Sequence, residues 1–157
     1  VAAFGAKKVT LLTDDMLYED IVPQMVNPKS GKAGFAGNYI KGHDPLGTVV
    51  FEEDADRLTF AWKYGSPDSS LPNDHFAAYW TTSFTPKKSG IVRFVISGDD
   101  GYRIFVDGKQ ICGHWGNHSL STRSAFFDME EGRKYDIKNI FKSKRRKGNQ
   151  ARVSLGF

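Results

Sequence analysis

The chain has 157 residues, 39% hydrophobic, 13% aromatic and 25% charged, a length that suits one domain with a core of its own. A mean hydropathy of −0.44 and the lack of a long apolar run exclude a transmembrane helix. The net charge is +4, but Lys142, Lys144, Arg145, Arg146 and Lys147 supply five positives within six residues, and without them the chain stands at −1. No recognition helix, finger spacing or RNA-binding strand pair accompanies that cluster, so it reads as a solvated basic turn and not a nucleic-acid clamp.

The opening VAAFGAKKVTLL carries no charged-then-apolar leader, and its lack of an initial Met suggests a mature form or an excised piece. Residues 7–12 are a short apolar run of strand character. Thr13 and Asp14 are placed to cap a helical turn that Pro23 would end. The stretch 27–34 has a linker's composition, so residues 1–33 are expected to form a lead-in segment, the tail of a preceding domain, and 34–157 the domain proper.

From Phe35 onward short apolar runs alternate with turns. Strands are expected at 35–41, 47–53, 57–62, 78–84, 90–97, 102–106, 109–112, 120–128, 133–141 and 150–156. The clearest is Ile91–Ile96, rich in β-branched and aromatic residues. Asp107-Gly108 between two such runs is a two-residue hairpin signal. About ten short strands without helical periodicity predict an all-β fold, an antiparallel barrel or sandwich.

Three groups of residues bear on chemistry. Asp99 and Asp100 lie between two strands and are flanked by glycines. Adjacent carboxylates repel unless hydrogen bonds or a cation offset them, so the pair is either half of an oxygen-ligand calcium site or a turn builder. In His114-Trp115-Gly116-Asn117-His118 the indole of Trp115 offers a stacking face for sugar C–H groups and Asn117 an amide for hydroxyls, or else Trp115 plugs the end of the fold. Two histidines four apart suit zinc on a helix, which Gly116 and the β context oppose. The segment Gly65–Asp74 is polar and proline-stiffened, as binding loops are. Phe76 and Trp80 fit core packing. Cys112 is the only cysteine, which excludes an internal disulfide and a cysteine zinc site. No G-x-S-x-G nucleophile motif occurs, and nothing indicates intrinsic catalysis.

These residues form a series. Gly65-Ser66-Pro67, Leu71-Pro72, Phe76 and Trp80 are followed by Phe84-Thr85-Pro86 and Ser89-Gly90. Next come Ser97-Gly98-Asp99-Asp100-Gly101-Tyr102-Arg103 through Asp107-Gly108-Lys109, then Trp115-Gly116 and Glu130-Glu131-Gly132. From about Gly34 to Phe157 this series resembles the protective-antigen-14 (PA-14) domain. The resemblance implies an antiparallel β-barrel or sandwich found as a carbohydrate-binding or interaction module in bacterial toxins, yeast adhesins and glycoside hydrolase inserts. In the adhesin branch the paired aspartates hold Ca²⁺ through a cis peptide, and the cation meets sugar hydroxyls. Those positions fall on Asp99 and Asp100, with Asn149 the nearest candidate for a third, asparagine ligand. The five positives of 142–147 depart from that pattern and oppose a cation.

Phe4–Thr10 is similar to the strand region ahead of such inserts in family 3 β-glucosidases. The expectations are therefore a non-catalytic module with an oligosaccharide partner, within a carbohydrate-active parent such as a β-glucosidase. Calcium is a candidate cofactor but not a required one, and the location extracytoplasmic. No nucleic-acid or membrane partner is expected. The alternative is a structural insert without sugar affinity of its own.

Overall fold

A computed structural model describes residues 25–42, 44–56, 58–63, 67–72, 75–116, 121–144 and 151–156; of 59, 61–63, 144 and 151–156 only the backbone is described. Eleven strands run through these residues: β1 (Met25–Val26), β2 (Phe35–Lys41), β3 (Val49–Ala55), β4 (Thr59–Lys63), β5 (His75–Phe84), β6 (Gly90–Asp99), β7 (Tyr102–Val106), β8 (Lys109–His114), β9 (Ser121–Met129), β10 (Tyr135–Lys144) and β11 (Ala151–Gly156). The described residues contain no helix.

Every pairing is antiparallel. Seven strands form one sheet in the order β3-β2-β5-β10-β7-β8, with β1 paired to β5, and four form a second sheet in the order β4-β11-β6-β9. The result is an antiparallel sandwich. Along β5 the side chains of Phe76, Ala78, Trp80, Thr82 and Phe84 alternate inward, as the period of two requires. Trp80 stacks on Phe60 with ring centroids 5.5 Å apart and meets Tyr39 edge-on at 5.7 Å. Phe94 and Ile96 from β6, Tyr102 and Ile104 from β7 and Phe141 from β10 complete the core. A buried aromatic of this size sustains a large share of such a core, about 3–5 kcal/mol on truncation to alanine.

The strand ends differ from expectation for identifiable reasons. β3 begins at Val49, because Gly47 N–H closes a turn on the Asp44 carbonyl at 2.9 Å and the Asp44 carboxylate accepts the Leu46 N–H at 2.9 Å. β5 begins at His75, where His75–Ala77 pair with Lys142–Lys144. The same pairing corrects the expected basic turn: Lys142, Ser143 and Lys144 are strand residues, and only 145–147 lie beyond β10. The hairpin at Asp107-Gly108 is as expected, with φ of 49° and 81°, the left-handed pair that the right-handed twist of the strands favours.

Two further features concern boundaries. The seven-stranded sheet already recruits Met25 and Val26, opposite Phe84 and Ser83, and Met25 is fully buried, so the sandwich reaches ahead of residue 34. The edge strand β3 exposes three consecutive acids, Glu52, Glu53 and Asp54, which discourages edge-to-edge pairing with another sheet. The expected elements at 7–12 and 13–23 lie outside the described residues.

Candidate functional site

The chain passes from the four-stranded to the seven-stranded sheet between β6 and β7, and that crossing is the turn Gly98-Asp99-Asp100-Gly101. Asp99 ends β6 opposite Arg152 of β11. Tyr102 opens β7 opposite Phe141 of β10 and His114 of β8. The register therefore brings the ends of β8 and β10 and the start of β11 beside the aspartates at one end of the sandwich.

Both carboxylates are buried, Asp99 at 7% and Asp100 at 1% exposure, and the peptide bond between them is cis. The flanking glycines are required by close approach. A Cβ on Gly98 would stand 2.6 Å from the Tyr102 ring, and one on Gly101 would stand 2.5 Å from the Trp115 carbonyl oxygen and 2.7 Å from Lys142 Cε. Lys142 N–H donates to the Gly101 carbonyl at 2.9 Å. The turn is thus clamped between Trp115 and β10.

Trp115 follows directly on β8 and is half-buried. Two cations lie over its ring, Arg103 Cζ at 4.3 Å and Lys142 Nζ at 4.6 Å from the centroid, contacts that attract through the ring quadrupole. Ser121 Oγ links Tyr102 Oη at 2.7 Å to His114 Nδ1 at 3.1 Å. Burial pushes the Tyr102 phenol above its ordinary value, the Ser121 hydrogen bond pulling the other way. His114 is thereby engaged in a side-chain network with Ser121.

Of the residues singled out from sequence, Asp99, Asp100 and Trp115 come together at this end of the fold. Asn117 and Asn149 lie outside the described residues, as does His118. Among the described residues no third carboxylate, imidazole or thiol joins the aspartates into a metal-binding group. The donor chemistry nonetheless fits calcium in part: two adjacent carboxylates are hard oxygen donors, and a divalent ion offsets their repulsion. The nearby cations Arg103 and Lys142 work against it. The loop expected to bind, 65–74, is described only over 67–72. There Leu71 enters the core and Asp68 closes a local turn, its carboxyl held below the usual range by hydrogen bonds from Ser70. Sequence reasoning missed Arg103 and placed Lys142 only in a basic turn; that both lie over Trp115 follows from the outward face they share and not from their spacing.

A two-sheet antiparallel module with a buried acidic turn at the crossing between its sheets is the class these features define. The PA14 domain family model matches residues 31–156, and the chain belongs to that family. The chain is 32% identical over 106 residues to the anti-sigma-I factor RsgI3 of Acetivibrio thermocellus, a match covering 68% of this chain and 16% of that protein. A solved anti-sigma factor domain-containing protein from Clostridium clariflavum superposes with a TM-score of 0.70 at 28% identity, over 78% of this chain and 40% of that one. Two further structures share the fold alone. A β-glucosidase from Kluyveromyces marxianus in complex with glucose has a TM-score of 0.63 at 11% identity, over 83% and 17% of the two chains. The Epithelial Adhesin 9 A domain of Candida glabrata in complex with Galβ1-4GlcNAc has 0.57 at 11%, over 82% and 83%. The chain thus spans less than half the length of the first three.

Proposed function

We propose that this domain is a non-catalytic glycan-recognition module within a longer extracytoplasmic protein. The observation that carries the reading is the pairing of two buried, adjacent carboxylates with the half-buried Trp115, whose backbone carbonyl packs against Gly101 of the same turn. Carboxylate oxygens accept sugar hydroxyls, and an aromatic face takes sugar C–H groups, the combination a sugar site uses. Where calcium takes part, Asp99 and Asp100 would hold it, and the ion would supply a Lewis-acidic partner for vicinal hydroxyls. The presence of a sugar complex among distant structures of the same fold supports the ligand class.

The parent is a separate question. The relatives at 28–32% identity are anti-sigma factor proteins, whereas the β-glucosidase stands at 11%. That gradient favours a parent of anti-sigma type over a β-glucosidase. In either parent the module's task is to engage a glycan.

The test is binding of a panel of neutral oligosaccharides by calorimetry to wild type, Asp100→Asn and Trp115→Ala. Stacking on one aromatic is worth about 0.5–1.5 kcal/mol, so Trp115→Ala is expected to weaken binding about two- to tenfold. Asp100→Asn is expected to abolish it. Undiminished binding by both variants would contradict the assigned site, and no binding by a folded wild-type domain would favour a structural insert.

A further inference from the structure

Arg103 of β7 and Lys142 of β10 are diagonal neighbours on the outer face of their sheet, since Arg103 lies opposite Ile140, two residues before Lys142. Like charges so placed repel, yet both heads converge on one indole. Arg103 Cζ stands 4.3 Å and Lys142 Nζ 4.6 Å from the centroid of the Trp115 ring, whose quadrupole gives each cation an attractive partner. The two stems reach that point past two glycines. Arg103 lies opposite Gly113 of β8, where a Cβ would stand 3.0 Å from Arg103 Cγ. The Lys142 stem runs past Gly101, where a Cβ would stand 2.7 Å from the lysine Cε and 3.0 Å from its Cγ. Neither glycine has a positive φ, so what each contributes is room for a stem and not a turn. Trp115 itself stands just past the end of β8, beyond the ladder that sets side-chain direction.

We propose that Arg103 and Lys142 are positioning residues that hold the Trp115 indole in one orientation beside the aspartate turn. The proposal rests on the glycan-recognition reading, in which Trp115 meets the sugar, and adds the residues that act through Trp115. The backbone carbonyl of Trp115 is held against Gly101, and the two cations restrain its ring from two different strands. A ring already restrained loses less side-chain freedom when a ligand arrives, which strengthens binding without a new contact. Because the cations act on the indole, their effect on affinity does not require a charged ligand.

The experiment follows two readouts in wild type, Arg103→Met and Lys142→Met, substitutions that keep an unbranched stem and remove the charge. The first is the heteronuclear NOE of the Trp115 indole N–H, assigned by its loss in Trp115→Phe, which reports ring motion on the ps–ns scale. The second is affinity for cellohexaose, xylohexaose and mannohexaose. Each Met variant is expected to lower the NOE and to weaken binding of whichever hexasaccharide wild type takes by about two- to fivefold. Lys142→Arg, which keeps the cation, is expected to retain both. In a Trp115→Ala background Arg103→Met is expected to cost no further affinity. Thermal unfolding of each variant keeps loss of fold apart from loss of binding. An unchanged indole NOE in both Met variants overturns the proposal. So does an affinity loss that persists undiminished without the indole, because the cations would then meet the ligand themselves. If wild type binds none of the hexasaccharides, the glycan reading fails, and the NOE alone decides whether the cations hold the ring.

Discussion

Tyr39 shows how burial at a single residue shapes the response of the whole domain. Its ring is 1% exposed, in contact with Trp80 and Phe51, and burial pushes its phenol up to about 12. The folded state holds this proton more tightly than the unfolded chain, whose phenol titrates near pH 10. The stabilising contribution is therefore complete below pH 10 and is lost as pH rises from 10 through 12. About two pH units correspond to roughly 2.7 kcal/mol, so chemical denaturation measured from pH 8 to 12 is expected to show a steep alkaline loss that Tyr39→Phe flattens. An alkaline limb equally steep in the variant would assign the loss to other groups. At the same scale the aspartate turn was legible from sequence, because two acids between two glycines are conspicuous. The reason for the glycines was not: Gly101 makes room for the carbonyl of Trp115 and the side chain of Lys142, contacts that only the folded chain creates.

At the scale of elements, β10 ties the core to the site. Its inward Asn139 is wholly buried between Trp80 on β5 and Ile104 on β7 in register, and among the described residues its amide has no hydrogen-bond partner. A buried amide without partners costs about 1–3 kcal/mol. Asn139→Leu, close in volume and without that penalty, is accordingly expected to raise the midpoint of thermal unfolding, whereas a lowered midpoint would mean that the amide is satisfied. The strands themselves were readable in sequence, since Phe, Val and Ile alternate between Gly and Pro punctuation. Their ends were less so. β10 runs on through Lys142–Lys144 because β5 offers His75–Ala77 as partners, and a run of lysines carries no local sign of a waiting neighbour. β1 escaped notice for the same reason: two residues, Met25 and Val26, gain strand identity only from Ser83 and Phe84 across the sheet.

At the scale of the molecule, two sheets meet at the end that carries the aspartate turn. The crossing from β6 to β7, the end of β8 and the end of β10 bring Asp99, Asp100, Trp115 and Lys142 into one neighbourhood, though they are spread over 44 positions of sequence. The fold supplies the neighbourhood, and the ligand is decided by what the side chains offer there. The central claim is that this end of the domain recognises a glycan. Its most direct test is thermal unfolding of the domain with a panel of oligosaccharides, each in calcium and in chelator. A ligand at a hundred times its dissociation constant adds about 2.7 kcal/mol to stability, a shift of several degrees for a domain of this size. The account predicts such a shift with at least one oligosaccharide; its disappearance in chelator would assign calcium to Asp99 and Asp100. No shift with any sugar, in calcium or in chelator, would contradict the account.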